Sequence, residues 1–591
     1  MAVPAQPRPA PGPRAPAPSP QPPRNRYIHT ETTRLLCAGP YLRARFRREV
    51  VSELVEHSGR TVAPSAGADV VPVLAHALRA RRLELRAGGW IALLGVLFLL
   101  ADYFGESFGW MTSWSLAEAY GRSYVEQSFF LPTDVLKVLG VLDVLDGAGH
   151  RPGSGVWAWN YTIVSALLWA VRSASRRGTS VYSLDGLPVP RRGRLVALVP
   201  QVLMALYWAA ALAAVWNYSA NWMAVVFPLL MVIPVWRHRN AVEAVMHERL
   251  GAEVFGELPR EELTGPEWLR EIGRAIDREQ NSGIVLYEPS RPFVGSGGAL
   301  PPWSLVMDLR RRQGADSEPL TAAGVLDCVR ERLADLGRLP APPSGLDRLR
   351  GVEIDELVYL PSGPARSRAD HGETATELHR SASVGEGGEA RRHFLRVRVA
   401  AWDHQVVVSV LVRVHTQGEL LVLEVVPHVL DPLEPAFGLV DALVERGRFP
   451  ATSAARALLS APASGVAAVF SAVRTVTGAV RRAVRFRLRG SPLEIPAEGA
   501  AVSVRELASR PGKSALQRMD VSRYLRTIQE RIGTGALQAL SEKGHDTGLL
   551  EQQIVEVSNG GVYIGSMSGG AVATGRGARA RAVGAMRQMV R

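Results

Sequence analysis

An uncharged stretch from Leu195 to Trp236 constrains the fold of this chain more than any other feature. Its 42 residues include no Asp, Glu, Lys, Arg or His. Because an α-helix rises about 1.5 Å per residue, the stretch is roughly twice what one helix needs to cross a hydrocarbon core of about 30 Å. It therefore predicts two membrane spans, joined by a tight polar turn at Asn217 to Asn221.

Aromatic and basic residues mark the ends of this hairpin. Trp216 and Trp222 flank the turn, and Trp236 ends the second span. Arg194 precedes the first span, and Arg237 follows the second. Trp is enriched at membrane–water interfaces and Arg on the cytoplasmic side of spans. We therefore predict that all five residues lie at an interface, with both ends of the hairpin in the cytoplasm.

Two more apolar stretches precede the hairpin, and together they predict a four-span membrane domain over residues 87–239. The flanking segments alternate between basic, acidic and basic, which follows the positive-inside rule. This pattern predicts a multi-pass protein of the plasma (cell) membrane with both termini in the cytoplasm. For Asp102 we favour an end-of-helix position over an intramembrane function. The predicted spans are about 87–104, 153–171, 195–216 and 220–236.

The rest of the chain divides by composition. Residues 1–34 are rich in Pro and Arg, which predicts a disordered tail. We further predict cytoplasmic juxtamembrane helices over 35–86, a cytoplasmic α+β domain over 240–440 with a disordered loop at 362–391, a helical region over 441–545, and a Gly-rich, β-like segment with a basic tail over 546–591.

Three Val-rich runs predict an antiparallel β-meander inside the α+β domain. They are Phe394–Ala400, Gln405–His415 and Glu419–Val429, separated by short turns. The second run carries apolar side chains on both faces, so both faces need cover. This predicts a sheet packed by the helices that precede it in the chain.

A basic amphipathic helix is predicted over residues 463–488. Its valines recur at helical spacing, and Arg474, Arg481, Arg482 and Arg485 crowd its C-terminal half. Such a helix either lies among the anionic headgroups of the inner leaflet or packs on the domain with a solvated Arg face. A fifth span is disfavoured because Pro462 interrupts the run.

The formal charge of +13 has two explanations. Nearly all the basic residues are Arg, and Ala, Gly, Val and Pro are abundant, which favours a GC-rich coding bias. The alternative is an anionic partner, for which lipid headgroups fit better than nucleic acid. Cys37 and Cys328 lie in predicted cytoplasmic segments, where two isolated cysteines predict neither a disulfide nor a zinc site.

No sequence motif predicts a catalytic residue, a cofactor or a metal. Gly512 to Ser514 resembles the end of a phosphate-binding loop but lacks its first glycine and its strand. Val294 to Gly298 is followed by two prolines, which favours a simple turn over a phosphate cradle. Four histidines lie along the meander without a third ligand; they are His393, His404, His415 and His428.

Four segments share a pattern with known proteins: the helix from Leu36 to Arg48, the Ala63–Pro64–Ser65 turn with His76, the Arg291–Gly295 segment before Trp303 and Ser304, and the Leu349–Gly351 strand start before the meander. Together they resemble a group of uncharacterised multi-pass membrane proteins of actinobacteria, over about residues 30 to 440. The resemblance implies membrane topology and habitat, and no activity.

These observations favour a membrane protein that anchors a cytoplasmic α+β domain for interaction or sensing. Its expected partners are the lipid bilayer, anionic headgroups and an unidentified protein, and homo-oligomerisation stays open. Two alternatives remain: a membrane-bound enzyme whose active site lies within 240–440, and an oligomeric transporter or channel component. An enzyme is the less favoured interpretation of the sequence.

Overall fold

The computed structural model describes residues 27–103, 156–174, 194–217, 219–310, 319–338, 349, 351–362, 391–401, 406–417, 419–447, 450–489 and 498–548. The predicted acidic loop between the first two spans lies outside these residues. So do the interior of the 362–391 loop, the tail up to residue 26, and the segment after residue 548. The last residues assigned to the tail are described, and there Thr30 caps a helix by accepting a hydrogen bond from the Thr33 N–H.

The protein has an α-helical part and a C-terminal strand-rich part that forms a half-barrel. The helices are α1 (Glu31–Leu42), α2 (Ala44–Val51), α3 (Val70–Tyr103), α4 (Val156–Ala174), α5 (Arg194–Asn217), α6 (Met223–Arg249), α7 (Ala252–Phe255), α8 (Glu267–Gln280), α9 (Ala322–Arg338), α10 (Leu439–Glu445), α11 (Pro450–Arg489), α12 (Val504–Leu507) and α13 (Ala515–Glu542). The strands are β1 (Ile284–Tyr287), β2 (Gly298–Ala299), β3 (Trp303–Asp308), β4 (Val352–Pro361), β5 (Arg392–Ala401), β6 (Val406–Gln417) and β7 (Leu420–Leu430).

The strands form one mixed sheet in the order β1-β4-β5-β6-β7-β2, and β3 also pairs with β7. The β1–β4 pair is parallel, and the other described pairs are antiparallel. Strands β5, β6 and β7 pair in sequence order, so the predicted antiparallel meander is confirmed. Since β2 and β3 both pair with the last strand of the meander, the sheet joins segments that are far apart in the chain.

Strand β6 is buried on both faces, as its apolar sequence predicts. On one face Val408 packs with Val329 of α9 and Ile528 of α13, and all three side chains are fully buried. On the other face Val407 packs against Ala66 in the loop before α3. Helix α13 belongs to the segment predicted as a separate helical region, but it packs on α9 and β6 and so covers the sheet.

Two predicted helix breaks at the membrane interface are absent. The predicted juxtamembrane helix and the predicted first span form the single helix α3, and α6 likewise extends the fourth predicted span to Arg249. Arginine is a good helix former, so a charged interface does not end a helix. The helix expected from Leu36 to Arg48 is instead divided at Arg43, which follows Pro40 and has an extended backbone.

Two helices are long and apolar enough to cross a membrane, by length and composition. They are α3 and the Thr452–Val484 part of α11. The most apolar window of α3 is 28% buried, whereas that of α11 is 50% buried. A shorter apolar helix covers Gln201–Trp216 within α5. Within the described residues, two helices rather than four satisfy this criterion.

Helix α11 packs tightly against α3 at Gly88. A Cβ atom on Gly88 would lie 2.4 Å from the carbonyl oxygen of Ala468 and 2.9 Å from the Cβ of Ala472. The neighbouring Gly89 faces open space, with no atom within 4 Å of such a Cβ. The lack of a side chain at position 88 therefore sets the distance between these two helices.

Substituting the two glycines separately tests this contact. Gly88→Ala should lower the free energy of unfolding by about 1–3 kcal/mol, because the backbone of α11 must move. Gly89→Ala should raise it by up to about 1 kcal/mol, because Ala favours a helix. Thermal unfolding of the purified protein in detergent measures both. Equal effects of the two variants would contradict the close packing.

Candidate functional site

Large exposed apolar side chains are concentrated on α3, α4, α5 and α6. Soluble proteins rarely expose so many on adjacent helices, and a surface of this kind marks an interaction with lipid or another protein. Trp90, Leu93, Val96, Leu97, Leu99 and Leu100 belong to α3; Trp159, Ile163 and Leu167 belong to α4; Val202, Leu212 and Trp216 belong to α5; and Val226, Leu229, Leu230 and Ile233 belong to α6.

The residues predicted at the membrane interface occupy different environments. Trp216 is 90% exposed and Trp222 is 39% exposed, at the two ends of the turn that joins α5 to α6. Trp236 is half-buried against α11, and Arg237 is exposed. Arg194 begins α5, but its side chain lies outside the described part of the structure. Exposed aromatic side chains therefore lie at the turn, and basic residues lie at the opposite end.

Polar groups inside this helical part bind one another. Asp102, 1% exposed, accepts a hydrogen bond of 2.9 Å from the Ala158 N–H and so caps the N-terminus of α4. The Tyr207 hydroxyl donates to the Ala224 carbonyl at 2.8 Å. The Asp102 contact satisfies a helix end, which agrees with the end-of-helix position predicted for Asp102. The Tyr207 contact satisfies a carbonyl that lacks its usual partner, because Pro228 four positions on has no N–H.

Helix α11 carries an exposed apolar stripe with arginines along one edge. The stripe consists of Phe470, Val473, Val476, Val480 and Val484, each 51–56% exposed. Of the four predicted lipid-facing arginines, Arg474 and Arg481 are exposed beside the stripe. Arg482 instead turns inward, with its guanidinium 5.4 Å from the ring centroid of Trp268. The side chain of Arg485 lies outside the described part.

Helix α11 meets the apolar helices at one end of each. Its contacts run from the Arg81–Ile91 part of α3 through the C-terminal end of α4 to the Val232–Asn240 part of α6. They include Ser453 with Asn240 at 2.8 Å, Arg172 with Ser464 at 3.3 Å, and Trp169 with Phe470 at 5.8 Å between ring centroids. This is the end at which basic residues flank the apolar runs.

A buried ion pair joins α2 and α3 beneath α11. Arg47 of α2 bonds Glu84 of α3, and their side chains are 6% and 3% exposed. The Ser471 hydroxyl of α11 donates to the same Glu84 carboxylate at 2.5 Å. Removal of either charge would leave the other buried without its partner ion, which is strongly destabilising.

The Gly-rich segment at 294–298 is a turn, as predicted, and it holds a carboxylate of the chain itself. The N–H groups of Gly295 and Gly297 donate to Glu506 Oε1 at 2.8 and 3.1 Å. Both glycines have positive φ, and a Cβ on either would lie 2.5 Å from a backbone oxygen. The turn therefore binds an internal anion, and no sequence signal links it to a residue 209 positions away.

A cavity of about 610 Å³ lies between the first turns of α3 and the segment 248–264. Its described lining includes no residue of the meander or of the 294–298 turn. The lining includes Pro72, Ala75, Leu78, Phe255, Leu258 and Leu263 among apolar residues, and Arg79, Arg82, Arg249, Arg260, Glu248, Glu261 and Glu262 among charged ones.

His76 lies on the wall of this cavity and is 2% exposed. Its Nδ1 lies 3.1 Å from the Tyr41 hydroxyl, and its Nε2 lies 3.5 Å from Glu261 Oε2. Burial lowers the pKa of His76 from 6.5 to about 4, so the imidazole is neutral at physiological pH. Burial alone would raise the pKa of Glu261, but His76, Arg79 and Arg249 lower it below its ordinary value.

The histidines of the meander are not brought together. His393 Nε2 lies 3.3 Å from Glu356, whereas His428 is 2% exposed and packs on Phe293. His404 lies outside the described residues. Among the residues that the structure describes, no group of three His, Cys, Asp or Glu side chains is arranged to hold a metal ion.

The comparisons with known proteins give one result. Residues 302–569 match the model of a family described as the AbeC-like domain. The match begins next to β3 and includes β4 to β7 and α9 to α13, so α11 lies inside it and α3 to α6 lie outside. No curated protein and no solved structure matches the chain. The wider resemblance to actinobacterial membrane proteins stays a prediction.

His76 should make stability depend on pH. Between pH 6.5 and about 4 the unfolded chain binds a proton that the folded His76 excludes, so stability should fall as the pH is lowered through this range. The shift corresponds to about 3 kcal/mol. His76→Gln should make this part of the profile less steep, and His238, whose pKa burial also lowers to about 4, should keep its own share of the slope. Unfolding temperatures at several pH values measure the effect, and parallel profiles for wild type and His76→Gln would contradict it.

Proposed function

We propose that this protein is an integral protein of the plasma membrane in which α3, α4, α5 and α6 anchor a cytoplasmic α+β domain for interaction or sensing. The exposed apolar surface of these four helices carries the proposal. Lipid is the partner that fits a surface so rich in Leu, Val, Ile and Trp. In this proposal each of the four helices is one of the predicted spans, and both termini lie in the cytoplasm.

The position of α11 supports this orientation. In our proposal α11 lies along the cytoplasmic face. A fifth span would have to reach Asp102 or Trp222, at the outer ends of the four helices. The contacts of α11 instead stay near Arg172 and Arg239, at the cytoplasmic ends. The apolar stripe then faces the acyl boundary, and Arg474 and Arg481 reach anionic headgroups.

The internal hydrogen bonds favour an anchor over a polar pathway. Asp102 caps α4, and Tyr207 binds a carbonyl of α6, so these groups serve the packing of the helices. A transport site instead needs ionisable groups that face a water-filled cavity. The sensing or interaction role is therefore assigned to the cytoplasmic domain.

A topology reporter tests the four spans. A reporter enzyme that works only in the cytoplasm should be active when it is fused after Arg239. A reporter enzyme that works only outside the cell membrane should be active when it is inserted at residue 218. The reason is that Arg239 follows the fourth span while residue 218 lies in the outer turn. The opposite activities at either site would overturn the four-span arrangement, and fractionation confirms that each fusion is in the membrane.

Brominated lipids test the position of α11. In a Cys328→Ser background, bimane attached to Val476→Cys or Val480→Cys should be quenched by brominated phosphatidylcholine in nanodiscs. The matched control is Leu516→Cys on α13, which is 62% exposed but far from the stripe in sequence and should not be quenched. Equal quenching at all three positions, or quenching only by water-soluble iodide at the stripe, would contradict a lipid-facing α11.

A further inference from the structure

The cavity beside His76 is built from the cytoplasmic extensions of two proposed spans. Pro72, Ala75 and Leu78 come from α3, which runs unbroken to Tyr103. Arg249 ends α6, which runs unbroken from Met223. A molecule in this cavity would therefore touch two helices that continue into the membrane, and its position suits a sensor.

The cavity suits a ligand with an apolar body. Apolar side chains line both of its walls, and they include Pro72, Ala75, Leu78, Phe255, Leu258 and Leu263. A volume of about 610 Å³ lies within the range of small-molecule sites. His29 and Phe255 lie at one side, with ring centroids 6.3 Å apart.

Of the four arginines in the lining, Arg82 is the one without an acidic partner among the described residues, and the lining also includes Glu248 and Glu262. Arg79 and Arg249 both bind Glu261, and Arg260 binds Asp69 and Asp277. Arg82 is exposed and, among the described residues, donates only to the Thr264 carbonyl, at 3.3 Å. A guanidinium with free donors binds phosphate or carboxylate through charge-assisted hydrogen bonds.

We propose that this cavity binds a small amphiphile with one anionic group, its apolar body between Leu78 and Leu258 and its phosphate or carboxylate at Arg82. The inference rests on the proposed function, since it names the ligand class that the cytoplasmic part senses. The ligand is either a lipid of the inner leaflet or a free amphiphile, because both present an apolar body with one anionic group. Arg82 lies five positions before Ala87, where the first predicted span begins.

Binding to the purified full chain in phosphatidylcholine nanodiscs tests the proposal. The probes are octyl phosphate, inorganic phosphate and octyl glucoside, and the readouts are the unfolding temperature and calorimetric affinity. Ala75→Trp fills the cavity, Arg82→Gln removes the cation, and Arg86→Gln is the matched control one turn further along α3. All variants are first shown to enter nanodiscs and to unfold in one transition without a probe.

Octyl phosphate should stabilise the wild type and Arg86→Gln equally. It should bind Arg82→Gln about tenfold more weakly, and Ala75→Trp not at all. Octyl glucoside and inorganic phosphate should each bind at least about tenfold more weakly than octyl phosphate, since each lacks one of the two required parts. Three results would overturn the proposal. They are equal affinity of Ala75→Trp and wild type for octyl phosphate, an equal loss of affinity in Arg82→Gln and Arg86→Gln, and no binding of octyl phosphate to the wild type.

Nanodiscs that contain phosphatidylglycerol distinguish the two sources. Competition with octyl phosphate would identify the ligand as a membrane lipid, and undiminished binding would identify it as a free amphiphile. If these binding tests fail with protein that still enters nanodiscs, the proposed ligand class is wrong and the proposed membrane arrangement is unaffected. If the reporter fusions show the opposite activities, the proposed membrane arrangement is wrong instead.

Discussion

Helix continuity across the membrane interface is the constraint on which the rest of this structure depends. Inside a bilayer every backbone N–H and C=O must bond within its own segment, so a span has to be an intact helix. Helices α3 and α6 keep this geometry well beyond the proposed membrane, to Val70 at one end and Arg249 at the other. The parts of α3 and α6 that line the cavity and contact α11 are therefore continuous with the proposed spans, without an intervening linker.

Next to α11, a buried ion pair fixes the relative position of α2, α3 and α11 more than it adds to their stability. The Arg47–Glu84 pair and its bond from Ser471 tie three helices to one register, and a pair of this kind gains little net stability because both ions lose their water. Gly88 acts in the same place through shape, since only a missing side chain lets the carbonyl of Ala468 approach. Together they give α11 a single position, with its apolar stripe turned away from the protein.

The sequence predicted the elements that depend on a pattern of neighbouring residues. It did not predict contacts between segments that are far apart in the chain. The meander follows from the period of Val residues, and the hairpin follows from an uncharged run too long for one helix. The arginine-rich end of α11 illustrates the limit, because Arg481 and Arg482 are adjacent in the sequence but packing turns Arg482 onto Trp268. The cavity and the Glu506 contact depend on segments far apart in the chain, which periodicity cannot place side by side. Continuous helices at the interface differ from the prediction because charged residues alone do not end a helix.

The dependence of the sheet on late parts of the chain has a consequence for biosynthesis. Strand β6 is covered by α13, and the turn at 294–298 is held by Glu506, yet both partners are made after the segments that they contact. The Val-rich sheet therefore has one uncovered face until residues 515–542 have left the ribosome. Uncovered β-strands are prone to aggregation during such an interval. The strand-rich part accordingly cannot complete its core before α12 and α13 are made.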